Sequence, residues 1–586
     1  MTQGPRIYNL FPLLAGPLPR WGPHLERAAR MGFTWLFVNP FHQAGYSGSL
    51  YSVKDYYAID ARLLEGGSPP LEQLRGMLAR AAALDLRLMM DLVVNHTAFD
   101  APLIQQHPTW FKRDKRGEIV HPGAKDGEER VLWRDLAEVD NEGSPDRETL
   151  WAYWRELALY YADLGFRGFR CDAAYQVPGD LWRDLMAAVK RRCPDALFFA
   201  ETLGCTPAQT LATARAGFDF IFNSSKWWDF REPWCLEQYA ETSPVVPSVS
   251  FPESHDTPRL AAELDGDRDA VLQRYAFAAV FSTGVMMPIG FEYGFSRPLH
   301  VVRTTPADWE TPRWDLSQAI AAVNRTKAGH PVLNQEGPIT PLALAQETSV
   351  GFLKQARDGG ESVLILLNLD RTAPARVRLP RGIFPAGPLA LTDPVTGLSG
   401  LLKGDEEIPL GPSGIRIVHD TRRLPPASGA GPGAALPQPG LRRLPDDLGQ
   451  APDEEESAVT SKPRILIVDD DPEMRALLLD VLTKEGYETA EAKDGTEAVL
   501  ALRRREFDVI VMDKNMPGPS GLDLLPGFRR VCPGTQVIMM TAFGDVPSYM
   551  EAVEKGAVEY LFKPFRMEEM KGAVAKALEK RAETRS

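Results

Sequence analysis

Between its start and about residue 330 the chain repeats one pattern eight times: a short apolar run, then a stretch with helical spacing of apolar residues. The runs are "RIYNLF", "TWLFVN", "LRLMMDLVV", "GFRCD", "LFFAE", "FDFIFN", "VPSVSF" and "GVMMPIG", with segments such as "PLEQLRGMLARAAALD" and "ETLWAYWRELALYYADLG" between them. Runs this short and apolar suit strands buried on both faces, and strand–helix alternation builds parallel sheets. Eight repeats predict a closed (β/α)8 TIM barrel over residues 1–330. A doubly wound open sheet is the alternative, and the lack of a glycine-rich phosphate fingerprint speaks against it. The stretch from Thr97 to Ser144 is polar, punctuated by Pro and Gly, and too long for a plain connection, which predicts a small inserted subdomain over the barrel mouth.

In such a barrel, reactive residues sit at the C-terminal ends of strands. The third run ends in "MDLVVNH" with Asp91, Asn95 and His96, and the fourth in "GFRCDAA" with Arg170 and Asp172. The fifth ends in "FFAET" with Glu201, and the seventh in "FPESHDTPR" with His255 and Asp256. Arg170 and Asp172 are two apart, so they share one side of a strand. An arginine there holds a carboxylate ionised and oriented, as a nucleophile requires, while a second carboxyl kept protonated by its surroundings serves as general acid. A lone acid at a strand end is usually structural or solvated; it is the joint order and spacing that point to a site.

This set resembles the alpha-amylase family of retaining glycoside hydrolases and transglycosylases, glycoside hydrolase family 13. All four of its signature segments appear in order, and the resemblance covers about residues 5–420. It implies Asp172 as nucleophile of a covalent glycosyl-enzyme, Glu201 as general acid and then base, and Asp256 as the carboxylate that grips sugar hydroxyls. It further implies Arg170 orienting Asp172, His96 and His255 bonding the sugar, and Tyr51 of "GSLYSVKDYYAID" stacking beneath it. Ser52 and Ser254 depart from the aspartate and asparagine common at those positions, which puts subsite geometry in question. Asn95 matches a calcium ligand of many members. The short insert offers no clear set of partner oxygens, so calcium stays open and unsupported. The insert is most similar to that of the maltosyltransferase branch. Trp227, Trp228 and Tyr46 are candidates for sugar subsites or for packing, and Cys171 is expected to be a packed thiol on the opposite face from Arg170.

Residues 331–422 read differently: "VGFLKQAR", "SVLILLNLD", "ARVRLP", "PLALTD" and "GIRIVHD" are short runs between Gly, Pro and Asp turns, an antiparallel β-sandwich. Residues 423–461 are rich in Pro, Gly, Ala and acid and read as a flexible linker. Residues 462–586 alternate strand and helix again, with "RILIV", "DVIVMD", "QVIMMTA" and "EYLFKP" as buried strands. "RILIV" runs straight into Asp469, Asp470 and Asp471. Three stacked carboxylates make sense if two of them meet Asp513 in the crevice at the strand ends and share a divalent cation, while Asp471 caps the next helix and Pro472 opens it. The unit resembles the receiver domain of two-component response regulators, a flavodoxin-like (βα)5 fold. That resemblance implies phosphorylation of Asp513, with Mg2+ held by Asp469, Asp470, Asp513 and the Asn515 carbonyl. It also implies Thr541, Tyr560 and Lys563 as the switch residues.

The net charge of −13 without a long basic run argues against nucleic acid as a partner. No run reaches membrane-spanning length. Five cysteines, odd in number and without CxxC spacing, fit a reducing compartment. Pro12, Pro17 and Pro19 interrupt the N-terminal apolar run, which reads as a strand rather than a signal peptide, so the expected location is cytoplasmic. The expectation is an enzyme on α-1,4-glucans or maltooligosaccharides, by hydrolysis or transfer, with a receiver served by a cognate histidine kinase or phosphodonor. The alternative is a signalling protein whose amylase-like part only binds or senses α-glucan.

Overall fold

The computed structural model describes residues 3–126, 129–380, 382–384, 389–402, 407–420, 462–469, 471–493, 497–498, 501–502, 505, 507–513, 534–542, 559–563 and 567–585. The linker expected at 423–461 lies outside the described residues.

Eight parallel strands close the barrel: β1 (Arg6–Leu10), β2 (Trp35–Val38), β3 (Arg87–Leu92), β4 (Gly168–Cys171), β5 (Leu197–Ala200), β6 (Phe220–Phe222), β7 (Ser248–Ser250) and β8 (Gly284–Pro288). Each pairs with its sequence neighbours, and β8 returns to β1. The period of two explains the continuous apolar runs. Ile7, Trp35, Phe37, Met89, Phe199, Phe222 and Met286 belong to one inner cluster. Their neighbours Tyr8, Leu36, Val38, Met90, Phe198 and Met287 belong to the larger cluster beneath the surrounding helices. Both faces are buried, as a parallel strand needs. Cys171 joins the outer cluster with Phe169 and Phe198, as a packed thiol.

Two additions rise from the strand ends. His42–Ala44 and Val53–Ile59 form an antiparallel hairpin after β2, which the sequence pattern did not reveal. In the stretch after β3, His96–Ala98 pairs with Leu136–Glu138, and Gly123–Asp126 pairs with Glu129–Leu132.

The sandwich begins with β9 (Ile339–Leu342), β10 (Ser349–Gln355), β11 (Ser362–Asn368) and β12 (Ala375–Val377). It continues with β13 (Leu389–Thr392), β14 (Ser399–Leu402), β15 (Ile408–Leu410) and β16 (Ile415–Asp420). Six strands order as β9-β10-β11-β16-β13-β14 and the pair β12-β15 faces them, all antiparallel. In β11, Leu364 and Leu366 point to a core shared with Val377 and Leu410, whereas Val363, Ile365 and Leu367 join the core of the barrel's outer layer. That double burial makes "SVLILLN" apolar throughout.

The C-terminal unit, taken by itself, is a five-stranded parallel sheet: β17 (Arg464–Val468), β18 (Glu488–Ala492), β19 (Val509–Asp513), β20 (Gln536–Ala542) and β21 (Glu559–Lys563). The order is β18-β17-β19-β20-β21, the open doubly wound arrangement. Leu466, Val468, Ile510 and Met512 face one core and Ile465, Ile467, Val509 and Val511 the other. The edge strand β18, "ETAEA", completes the five strands of the expected (βα)5 fold and is the one not among the four quoted runs; its alternating polar residues hid it in the sequence.

Candidate active site

The two-residue period carries the inner face of the barrel upward into chemistry. Two positions beyond inward-facing Met89 and Phe199 stand Asp91 and Glu201, and two beyond Arg170 stands Asp172. Arg170 is buried and lies in register with Asp91 on β3. Its Nη1 donates to Asp172 Oδ1 at 2.7 Å and to both Asp91 oxygens at 2.8 and 2.9 Å. Its Nη2 lies 3.1 Å from Glu201 Oε2. One guanidinium therefore spans the expected nucleophile and the expected acid. A second link joins them: Ala173, held in the left-handed region at φ 40°, donates its N–H to Glu201 Oε2 at 2.7 Å.

The two carboxyls are electrostatically unequal. Burial pushes Asp172 up to about 6, against the pull of Arg170 and with a further push from Asp91. Burial pushes Glu201 up to about 7, again against Arg170, with Asp172 and Asp256 adding to the rise. The higher value belongs to the residue expected to deliver a proton, and the lower to the expected nucleophile. Asp91 is also raised by burial, although Arg170 and Tyr51 bond it.

Tyr51 stands just before the second strand of the hairpin. Its hydroxyl lies 2.7 Å from Asp91 Oδ2 and 2.7 Å from His255 Nε2, and its ring stacks on His255 with centroids 5.5 Å apart. His255 Nε2 is 2.9 Å from Asp256 Oδ2, whose side chain is about half exposed (52%) and so reachable by a ligand. The loop that carries this pair is locked by a buried ion pair: Arg259 Nη1 donates to Glu253 Oε1 at 2.7 Å and Nη2 to the Ile289 carbonyl. The other Glu253 oxygen accepts the Leu260 N–H.

His96 Nε2 is 3.1 Å from the Tyr51 carbonyl, which can only accept, so Nε2 carries the hydrogen. Burial lowers His96 to about 4, leaving it neutral. Its Nδ1, like that of His255, is buried without a protein partner. Neutral Nδ1 is an acceptor, suited to a hydroxyl group.

The structure thus brings Tyr51, Arg170, Asp172, Glu201, His255 and Asp256 together directly, with His96 joined through the Tyr51 backbone. Glu253 and Arg259 were missed as site residues, and Asp91, noted at its strand end, was given no role. The signal for Asp91 was an acid inside an apolar strand. Ser52 is buried and bonds the Asp135 carbonyl at 3.3 Å, and Ser254 Oγ accepts the Asp256 N–H at 3.2 Å. Trp228 is packed in the core, whereas Trp227 and Tyr46 are exposed. Among the described residues no group of three or more His, Cys, Asp or Glu has the arrangement of a metal site. Asn95 Oδ1 is buried without a protein partner.

In the C-terminal sheet, Asp469 follows β17 and Asp513 ends β19, adjacent strands, and both are buried. Two buried carboxylates at neighbouring strand ends are hard oxygen donors of the kind Mg2+ takes. Thr541 and Lys563 fall near the ends of β20 and β21, and Tyr560, the second residue of β21, pairs with Met539. Asp471 Oδ1 accepts the Met474 N–H at 3.4 Å at the start of helix Pro472–Lys484, the expected cap. Asp470 and Asn515 lie outside the described residues.

Comparison with known proteins gives two kinds of match. Residues 465–575 match the response regulator receiver domain family, and residues 6–111 the glucanotransferase domain of glycogen debranching enzyme. An alpha-1,4-glucan:maltose-1-phosphate maltosyltransferase of Burkholderia pseudomallei is 29% identical over 391 residues, 64% of this chain and 34% of the relative. The chain spans between about a third and three-fifths of the length of the maltosyltransferases it matches. Sporulation initiation phosphotransferase F of Bacillus subtilis is 36% identical over 115 residues, 20% of this chain and 93% of the relative. An alpha-amylase of Geobacillus thermoleovorans, solved with acarbose, superposes with a TM-score of 0.60 at 16% identity. That match covers 72% of this chain and 99% of the amylase, a likeness of fold.

Proposed function

Because the chain belongs to the response regulator receiver family over residues 465–575, and carries an amylase-type domain of glycoside hydrolase family 13 before it, we propose a retaining α-glucan-active enzyme bearing a phosphorylatable receiver. The observation that carries the enzymatic reading is Arg170, whose guanidinium joins the Asp172 and Glu201 carboxyls.

The reaction has two steps. Asp172 Oδ attacks the anomeric carbon of an α-linked sugar while Glu201 gives its proton to the departing oxygen, which takes the electron pair of the broken bond. Glu201, now a carboxylate, then removes the proton of an incoming hydroxyl, which attacks the same carbon and frees Asp172. Asp256 and the two histidine Nδ1 atoms hold sugar hydroxyls, and the Tyr51 ring offers an apolar face. Water as acceptor gives hydrolysis, and a sugar hydroxyl gives transfer. The maltosyltransferase likeness favours an activated maltose donor and a glucan acceptor.

In the receiver, Asp513 accepts the phosphoryl group from a histidine kinase or small phosphodonor, and Thr541, Tyr560 and Lys563 respond to it. Mg2+ held by Asp469, Asp470, Asp513 and the Asn515 carbonyl would supply the positive charge that brings a phosphoryl group to a carboxylate. We place the protein in the cytoplasm; no helix among the described residues is long and apolar enough to cross a membrane.

The test is a product profile from a maltooligosaccharide, with and without maltose 1-phosphate. Lengthened oligomers mean transfer, and glucose with maltose means hydrolysis. Wild type as inert as Asp172→Asn on every α-glucan and donor would leave a glucan-binding signalling protein instead.

A further inference from the structure

We propose that Asn9 and Asn39 are positioning residues that turn the Tyr51 hydroxyl hydrogen to Asp91 and leave its oxygen to accept from His255; the consequence for turnover rests on the enzymatic reading above. Both side chains are fully buried, on or just past the adjacent strands β1 and β2, in a barrel interior otherwise filled by Ile7, Trp35 and Phe37. Two amides there cost desolvation unless their hydrogen bonds serve something.

Their bonds have a single direction. The Phe37 carbonyl can only accept, so Asn9 Nδ2, 3.2 Å away, must face it. The same amide gives its second hydrogen to Asn39 Oδ1 at 2.8 Å. With that oxygen taken, Asn39 turns Nδ2 to the Tyr51 hydroxyl at 3.0 Å. The phenol oxygen therefore accepts from Asn39, and its own hydrogen goes to Asp91 Oδ2. Its remaining lone pair faces His255 Nε2, so Nε2 must be the protonated nitrogen. That N–H also reaches Asp256 Oδ2.

The opposite arrangement is penalised twice. If Tyr51 donated to His255, Asp91 Oδ2 would meet a phenol lone pair at 2.7 Å, and His255 would carry its hydrogen on a buried Nδ1 that has no protein partner. One-way donation from the barrel wall thus keeps Asp91 bonded by both Tyr51 and Arg170. Arg170 in turn holds Asp172 and Glu201.

Asn39→Asp tests this with almost no change in shape. The carboxylate it introduces, when ionised, only accepts, so it claims the Tyr51 hydrogen from Asp91, while the phenol oxygen still turns a lone pair to His255 Nε2. In full-length protein labelled with 15N-histidine, with His255→Gln assigning the signal, the expected wild-type His255 is protonated at Nε2. Asn39→Asp is expected to keep that tautomer, because the Tyr51 oxygen still accepts from His255, and to lower kcat on the α-glucan roughly 10- to 100-fold with KM little changed, because Asp91 loses the Tyr51 hydrogen. Wild-type His255 protonated at Nδ1 alone overturns the proposal, and this arm needs no variant of Asn39 to fold. Folded Asn39→Asp with wild-type kcat overturns it too. Wild type inert on every glucan, with His255 protonated at Nε2, refutes the enzymatic reading and leaves the proton chain standing.

Discussion

At the scale of single residues, the unequal carboxyls make the account quantitative. The proposed mechanism needs Asp172 ionised and Glu201 protonated, so kcat/KM is expected to peak between about pH 6 and about pH 7. Protonation of Asp172 gives the acid limb and loss of the Glu201 proton the alkaline limb, as macroscopic values of the coupled pair. Asp172→Asn is expected to lower kcat by about 1,000-fold or more. Stability moves the other way. Both carboxyls are raised in the folded state, so they burden it least below their unfolded values near pH 4, and stability is lost as pH rises through about 6 and about 7. Glu201→Gln removes the cost of burying that charge, so its melting temperature should exceed wild type at pH 8 and match it near pH 4. A variant no more stable at pH 8 than at pH 4, relative to wild type, contradicts the burial argument.

At the scale of elements, the loop after β7 depends on a pair that polarity alone does not disclose. Arg259→Met leaves the Glu253 carboxylate buried without its cation, a loss of about 3–5 kcal/mol in stability that urea unfolding would read. It should also weaken activity, because His255 and Asp256 ride on that loop; unchanged stability would show that the pair is not what locks it. Legibility follows the same line. The eight barrel strands were readable because burial on both faces forces apolar runs, and the acids at their ends were readable because strand ends share one mouth. The hairpin His42–Ala44 with Val53–Ile59 was not: its short, mixed strands lack any clean period. The edge strand β18 escaped for a similar reason. Glu253 and Arg259 look solvated in the sequence, and only the fold shows that each is buried with the other. Asp91 was visible at its strand end, but its place between Arg170 and Tyr51 depends on the strand register and a hairpin residue that spacing cannot align.

At the scale of the whole chain, the proposed function puts two chemistries on one polypeptide: glycosyl-enzyme chemistry, by hydrolysis or transfer, in the barrel and phosphoryl acceptance in the receiver. Treatment of the full chain with a small phosphodonor and Mg2+ should add one phosphoryl group to wild type and none to Asp513→Ala. If the receiver regulates the barrel, its two states must differ in free energy of interaction with the enzyme, and turnover should change about fivefold or more on phosphorylation. Equal rates with and without phosphodonor would show that the two domains are only tethered. The most direct test of the central claim is to trap the covalent intermediate. Full-length Glu201→Gln, incubated with a maltosyl fluoride whose leaving group needs no acid, should gain the mass of one glycosyl unit, and peptide mapping should place it on Asp172. An adduct on another residue, or turnover of the fluoride with inverted stereochemistry, would contradict the account.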